Sequence, residues 1–397
     1  MKSREYILDI LYRVFKDNAY ASILLRKIDD ESISFISEVV YGTLRNYSLL
    51  EYQWKDLAKK TDLKTSLILD MSVYQLFLMD NVPEYAVINE AVELANKHRK
   101  GFVNAILHKV IERGFIHSDD LSVEMSHPEW LIKLWIAHYG EDITKQILEK
   151  DNDRATVYAR INTLKITKEE LEKNSDITFI DDICFISKTP IASMKEFREG
   201  KVIIQDINSQ KVVKYLPLKE GDRVLDLCSA PGTKSEQIVE VLKDNGEIIA
   251  CDLYEHRCKL IDQLMDKCGV TSVKSMVNDA TIANFEEETF DCILMDVPCS
   301  GLGDLAHKPE IKWHTTSNDL DEIVNIQASI LENNWKAVKK EGYIVYSTCT
   351  LNKKENDKQI SSFLSKHEEM KLIKEETIFP FMNNGDGFYV ALMQRIG

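Results

Sequence analysis

Apolar positions along the 397-residue chain fall into three successive rhythms. In the first, Ile7, Leu8, Ile10, Leu11, Val14 and Phe15 keep the i, i+3, i+4, i+7 spacing of one helical face. The same spacing returns in FISEVVYGTLRNYSLLEYQW, LILDMSVYQLFLM and AVINEAVELANKH, and Pro83 separates the last two. An all-α bundle over residues 1–125 is the natural solution for such a pattern. After Pro128 the helical spacing continues through HPEWLIKLWIAHYGEDITKQIL. The rhythm then breaks into short β-like runs, TVYARINTL, DITFI and DICFISK, with helical TKEELEKN between the first two. Residues 126–204 are thus expected to form a helical connector and a small α+β subdomain.

From residue 205 to 397 strands and helices alternate. RVLDLC, EIIACD, VKSMVN, CILMDV and YIVYST are apolar-rich runs of strand length. KSEQIVEVLK, EHRCKLIDQLMDKC and LDEIVNIQASILENNWKAVKK read as helices between them. The alternation predicts a doubly covered parallel α/β sheet, whose ligands bind at the carboxyl ends of the strands.

Composition narrows the class. Hydrophobic residues make up 44% and charged residues 29%, as in a globular protein, and no apolar run is long enough to span a bilayer. The N-terminus lacks the apolar core of a secretory signal, so a cytoplasmic location is expected. Eight cysteines lie between 184 and 349 with no CxxC pair and no Cys/His ligand spacing, which argues against structural zinc and against a disulfide framework. The net charge of −15 divides as −2 over residues 1–120, −4 over 121–200 and −9 over the remainder. A local basic face can still bind phosphate on such a chain. Basic residues gather at Arg45, Lys55, Lys59 and Lys60 and again at Lys97, Arg99, Lys100, Lys109 and Arg113. They form either a solvated helix surface or a phosphate-contacting face.

The unusual residues stand just after the strands. The first strand runs into Asp226-Leu227-Cys228-Ser229-Ala230-Pro231-Gly232-Thr233-Lys234 and then a helix, so a ligand could approach the backbone at Gly232 and meet free helix amides. The loop is neither GxGxxG nor a P-loop, which weakens nicotinamide and ATP readings. Asp252 ends the second strand, where a carboxylate suits ribose hydroxyls or caps the next helix. Asp279 follows the third, where a carboxylate could accept from an adenine amino group. The fourth strand gives Asp296-Val297-Pro298-Cys299-Ser300-Gly301-Leu302-Gly303 and the fifth gives Tyr346-Ser347-Thr348-Cys349-Thr350-Leu351. Two thiols at the mouths of neighbouring strands suit covalent catalysis on an electron-poor carbon.

DLCSAPGTK, CD, NDA, DVPCSGLG and YSTCTL, in this order, resemble the S-adenosylmethionine-dependent RNA cytosine-5 methyltransferases. The resemblance covers roughly residues 195–397, including GKVIIQDINSQ and GDGFYVALMQR, and the helical region resembles the NusB-like RNA-binding domain. Their fusion is similar to the bacterial 16S ribosomal RNA methyltransferases of the Sun/Fmu type. The resemblance implies a Rossmann-like C-terminal domain that holds S-adenosyl-L-methionine on Cys228, Ser229, Ala230, Pro231, Gly232, Thr233 and Lys234, with Asp252 on the ribose and Asp279 on the adenine side. It makes Cys349 the nucleophile at C6 of cytosine, Cys299 the residue that assists product release, and Asp296 the contact to cofactor and base.

The chemistry has an independent logic: thiolate addition at C6 turns C5 into an enamine-like carbon able to take a sulfonium methyl, on a base that is unpaired or flipped out. The expected partner is 16S ribosomal RNA or a small-subunit assembly particle, met by a monomer through Arg45, Lys97, Arg99 and Lys100, with no metal, DNA or membrane. A transfer-RNA methyltransferase and a non-catalytic RNA-binding assembly factor are the alternatives. Two positions depart from the family pattern: Thr233 replaces a second glycine, and Asp304-Leu305-Ala306-His307-Lys308 replaces a stretch that often carries arginines.

Overall fold

The computed structural model describes residues 3–58 and 60–397, and Lys59 therefore lies outside the described residues. The chain divides into two compact units, Met1–Arg154 with Leu305–Thr315, and Ala155–Asp304 with Thr316–Gly397.

The first unit is helical, as its periodicity predicts. Helices Ser3–Asp17, Ile33–Arg45, Leu63–Phe77, Glu84–Leu94 and Lys100–Arg113 pack on one core built from residues such as Leu11, Val39, Leu67, Leu69 and Leu107. Pro83 caps the fourth of these, and Asn46 breaks the long run after Arg45. Gly140, at φ 82°, separates helices Glu129–Tyr139 and Glu141–Asp151, a conformation that a side chain would strain. The segment Leu305–Thr315 is stitched into this unit. Lys312 Nζ donates to the Arg45 carbonyl at 2.9 Å, Trp313 Nε1 to the Leu44 carbonyl at 2.9 Å, and Glu310 Oε1 accepts from the Ala21 amide at 2.9 Å.

The second unit holds two sheets. Strands β1 (Ala159–Ile161), β2 (Ile177–Phe179), β3 (Cys184–Ser187) and β4 (Val202–Ile204) form a small antiparallel sheet in the order β2-β3-β1-β4. Strands β5 (Arg223–Asp226), β6 (Glu247–Asp252), β7 (Val273–Val277), β8 (Phe290–Asp296), β9 (Val338–Thr348), β10 (Met370–Ile378) and β11 (Phe388–Arg395) form a seven-stranded sheet in the order β10-β11-β9-β8-β5-β6-β7. Its first five strands in sequence run parallel, whereas β11 pairs antiparallel with β9 and with β10. The chain winds outward from β5 through β6 to β7 and then returns to β8 on the other side. The carboxyl ends of β5 and β8 therefore flank the point where strand order reverses.

Adjacent residues on these strands serve opposite faces, which is why the runs read as continuously apolar. Leu225, Ile293 and Ile344 face one cluster with Ile330 and Phe363, while Val224, Leu294 and Val345 face another with Ile238 and Leu242.

Three local expectations are corrected. The sheet is mixed rather than wholly parallel. Strand β10 went unread because its Lys/Glu-rich MKLIKEETI is the exposed edge of the sheet, where charge is tolerated. The helical reading of LDEIVNIQASILENNWKAVKK also overruns: the helix is Ser317–Asn334, and a single turn at Trp335–Ala337 leads straight into β9.

Arg160 on β1 is fully buried and ties the small sheet to the helix Thr233–Leu242. It forms ion pairs with Glu236 and Glu240 and donates to the Thr233 carbonyl at 2.9 Å. Burial pulls its pKa down, but the two carboxylates overcome that and hold it above the ordinary value. Arg160→Met is expected to cost about 3–5 kcal/mol by leaving buried carboxylates unpaired. Urea unfolding that places the variant within 1 kcal/mol or so of wild type would contradict this.

Candidate active site

The loop after β5 is shaped by its glycine. Gly232 has φ 102°, and a Cβ there would approach Met265 and Ile261 at 3.3–3.4 Å. It precedes the helix Thr233–Leu242 without any side-chain cap, so first-turn amides lack an intrahelical acceptor. The Ala230 amide donates to Asp252 Oδ2 at 3.3 Å, and Arg257 Nε pairs with Asp252 Oδ1 at 2.8 Å. Asp252 is thus nearly buried at the end of β6. It does not cap the next helix, whose cap position is Tyr254. Asp279 accepts from the amide and hydroxyl of Thr281, and those bonds hold its carboxyl below the usual range. Beside it the buried Asn278 has an Nδ2 group with no partner among the described residues, a donor not singled out from the sequence. Uncapped amides, an acidic side chain and an unpaired amide donor line the strand ends where a nucleoside-bearing cofactor is expected. The residues fit such a group.

Asp226, at the root of the loop, accepts from Ser235 Oγ at 2.6 Å, and its other oxygen has no hydrogen-bond partner among the described residues. Burial raises its pKa to about 6. The Cys228 thiol is likewise pushed well up, by burial first and by the nearby Asp226 and Asp296 charges next.

Asp296 is the hub. Lys234 Nζ reaches its Oδ2 at 2.7 Å, and Ser347 Oγ donates to its Oδ1 at 2.6 Å. Burial would lower the Lys234 pKa, but Asp296, with smaller contributions from Cys349 and Asp226, carries the net shift upward. Lys234 is accordingly an ammonium close enough to Cys349 to interact with it electrostatically.

The two loops that carry Cys299 and Cys349 meet. Their sulfurs are 3.1 Å apart, both half-buried and neither in a disulfide. The remaining cysteines, apart from the half-buried Cys228, are buried. The Gly303 amide donates to the Cys349 carbonyl at 3.0 Å, and the Gly387 amide donates to the Gly303 carbonyl at 2.7 Å. A Cβ on Gly303 would lie 2.1 Å from the Gly387 carbonyl oxygen, so only glycine fits there. These close approaches, the Ser347 hydroxyl and the buried Glu355 were not singled out from sequence. They lie in ordinary-looking polar stretches whose significance depends on which strands are neighbours.

The structure brings together Asp296, Cys299, Cys349 and Lys234, with Asp252 against the Ala230 amide of the same β5 loop. The basic residues of the helical unit fare differently. Arg45 is corrected: it is 8% exposed, donates to the Ala306 carbonyl at 3.3 Å and is spent on internal packing, so it cannot present a phosphate contact at the surface. Lys97 is exposed, Arg99 lies 3.6 Å from Asp62, and Lys100 lies 3.4 Å from Glu93. Such exposed pairs are weak and exchange readily for another anion.

Comparison with known proteins agrees with this architecture. The family model described as 16S rRNA methyltransferase RsmB/F matches residues 213–394, the NusB family matches 1–112, and a ferredoxin-like domain of RsmF/B-like methyltransferases matches 127–174. The probable ribosomal RNA small subunit methyltransferase B of Bacillus subtilis is 34% identical, with 99% of each chain covered. The ribosomal RNA small subunit methyltransferase B of Photorhabdus laumondii is 30% identical over 94% of this chain and 92% of its own. Among solved structures, PH0851 superposes with a TM-score of 0.84 at 24% identity over 100% of this chain and 99% of its own. NSun6 from Pyrococcus horikoshii with SFG superposes at 0.62 and 20% identity over 68% of this chain and 98% of its own. Both likenesses speak to the fold.

The elevated Asp226 pKa gives a test of the site's electrostatics. An aspartate raised from 3.8 to about 6 contributes stability that is fully present below about pH 4 and is lost as pH rises through about 6. Asp226→Asn should flatten that slope and stabilise the protein by about 3 kcal/mol above pH 7. Identical pH profiles of thermal unfolding for variant and wild type would contradict the assignment.

Proposed function

The chain belongs to the RsmB/F family of 16S ribosomal RNA methyltransferases, and on that premise we propose that it methylates C5 of a cytosine in small-subunit ribosomal RNA through a covalent bond from Cys349 to C6. The observation that carries this reading is the 3.1 Å approach of Cys299 and Cys349 beside the Lys234–Asp296 pair. S-adenosyl-L-methionine, the methyl donor of the family, supplies an electrophilic methyl group when bound. The loop Cys228–Lys234 offers it backbone amides, Asp252 suits the ribose, and Asp279 with Asn278 suits the adenine side.

The Lys234 ammonium lies near Cys349 and would offset the negative charge of its sulfur at attack. The thiolate adds at C6 and so makes C5 nucleophilic. Asp296, fixed from both sides by Lys234 and Ser347, hydrogen-bonds the base edge and favours protonation at N3, which raises reactivity at C6. After methylation the C5 proton departs and the thiolate is eliminated, with Cys299 assisting release from its position against Cys349. Exposed Lys97 and the loosely paired Arg99 and Lys100 are the candidate RNA contacts on the helical unit.

Methyl transfer from radiolabelled S-adenosylmethionine to bulk RNA from a strain lacking this protein tests the reading. Label should appear as 5-methylcytosine in small-subunit ribosomal RNA. Cys349→Ala should abolish it, and Cys299→Ala should accumulate a covalent protein–RNA adduct. Label confined to transfer RNA would overturn the substrate, and Cys299→Ala inactive without an adduct would overturn the division of labour between the thiols.

A further inference from the structure

Behind the two cysteine loops lies a carboxylate with no part in the chemistry above. Glu355 is fully buried. Its Oε2 accepts from the Ser300 amide at 2.9 Å and from Gln327 Nε2 at 3.0 Å. Its Oε1 accepts from Ser300 Oγ at 2.6 Å and from Asn352 Nδ2 at 2.9 Å. Four uncharged donors thus converge on one side chain. Ser300 follows Cys299 directly, and Asn352 lies three residues past Cys349. Ser300 Oγ also lies 2.8 Å from Thr350 Oγ1, next to Cys349. One acceptor-only group therefore grips both loops at once, and an arrangement of four donors needs such a group at its centre.

We infer that Glu355 is a positioning residue that holds the Cys299 and Cys349 thiols within bridging distance of each other. The inference rests on the proposed function only in giving that distance a purpose: release by Cys299 requires it to stay against Cys349. A glutamine at this position would turn an amide NH2 toward two donors and push the Ser300 end of the Cys299 loop away. Links that bypass the carboxylate remain: the Gly303 amide on the Cys349 carbonyl still joins the two loops further along, and Tyr346 OH still donates to the Glu355 carbonyl at 2.7 Å.

Phenylarsine oxide reads the distance without reference to methylation. Its trivalent arsenic bonds both sulfurs, and the oxide oxygen leaves as water with the two thiol protons, so no oxidant is consumed. Full-length protein should take up one arsenical and lose maleimide reactivity at Cys299 and Cys349 together. Glu355→Gln should slow this bridging by about tenfold, because the second bond depends on the effective concentration of the other thiol. Single-thiol labelling by N-ethylmaleimide should be little changed. If that variant does not fold, Ser300→Ala, which removes one donor and the link to Thr350, should slow bridging in the same sense.

Bridging at the wild-type rate in a folded variant overturns the inference, whatever the methylation data. Slowed bridging together with adduct accumulation during turnover supports both the positioning role and the proposed function. Slowed bridging with no adduct, in this variant or in Cys299→Ala, supports the positioning role and contradicts the release role of Cys299.

Discussion

The register of β8 against β9 is the constraint on which the rest of the site depends. Asp296 stands opposite Ser347 in parallel pairing, and the Val297 amide continues the ladder to the Ser347 carbonyl at 3.1 Å. Three residues past Asp296 and two past Ser347 come the two thiols. A slip by one residue would turn every side chain of one strand to the other face, bury Asp296 in apolar surroundings and separate the sulfurs. The register itself is enforced from both faces, since Ile293 with Ile344 and Leu294 with Val345 fill opposite cores.

Given that register, the electrostatics follow. A carboxylate at the end of β8 would be costly to desolvate alone, and so would the Lys234 ammonium in the adjacent β5 loop. Paired at 2.7 Å they offset each other, and the cation is left next to Cys349, where it has a chemical use. Deeper in, Arg160 and its two glutamates fix the helix whose first turn follows Gly232. The overall acidity of the chain does not govern this site. Its charges act over a few ångströms in a partly buried setting, whereas net charge speaks to bulk attraction.

The catalytic half of this picture was legible in the sequence because strand ends are where a parallel sheet keeps its chemistry. Five strands, the acidic tips and the cysteine pair could all be placed by counting from apolar runs. The antiparallel strands β10 and β11 were not, since exposure at the sheet edge gives β10 a charged, non-alternating look and only a single turn, Pro380–Met382, separates β11 from it. Glu355 was invisible for a different reason. In NKKEN it resembles any surface glutamate, and only the fold shows that four donors surround it. Arg45 failed in the opposite direction. A basic residue at a helix end reads as a phosphate contact until Leu305–Thr315, distant in sequence, is seen to pack over it.

The central claim is that Cys349 bonds to C6 of a cytosine whose C5 then takes the methyl group. Small-subunit RNA containing 5-fluorocytidine tests it most directly, because fluorine at C5 blocks the proton loss that frees the enzyme. Incubation with S-adenosylmethionine, nuclease digestion and mass spectrometry of tryptic peptides should find a methylated fluorocytidine on the peptide that carries Cys349. The same adduct on the Cys299 peptide would contradict the account, as would methylation of unmodified RNA with no adduct on the fluorinated one.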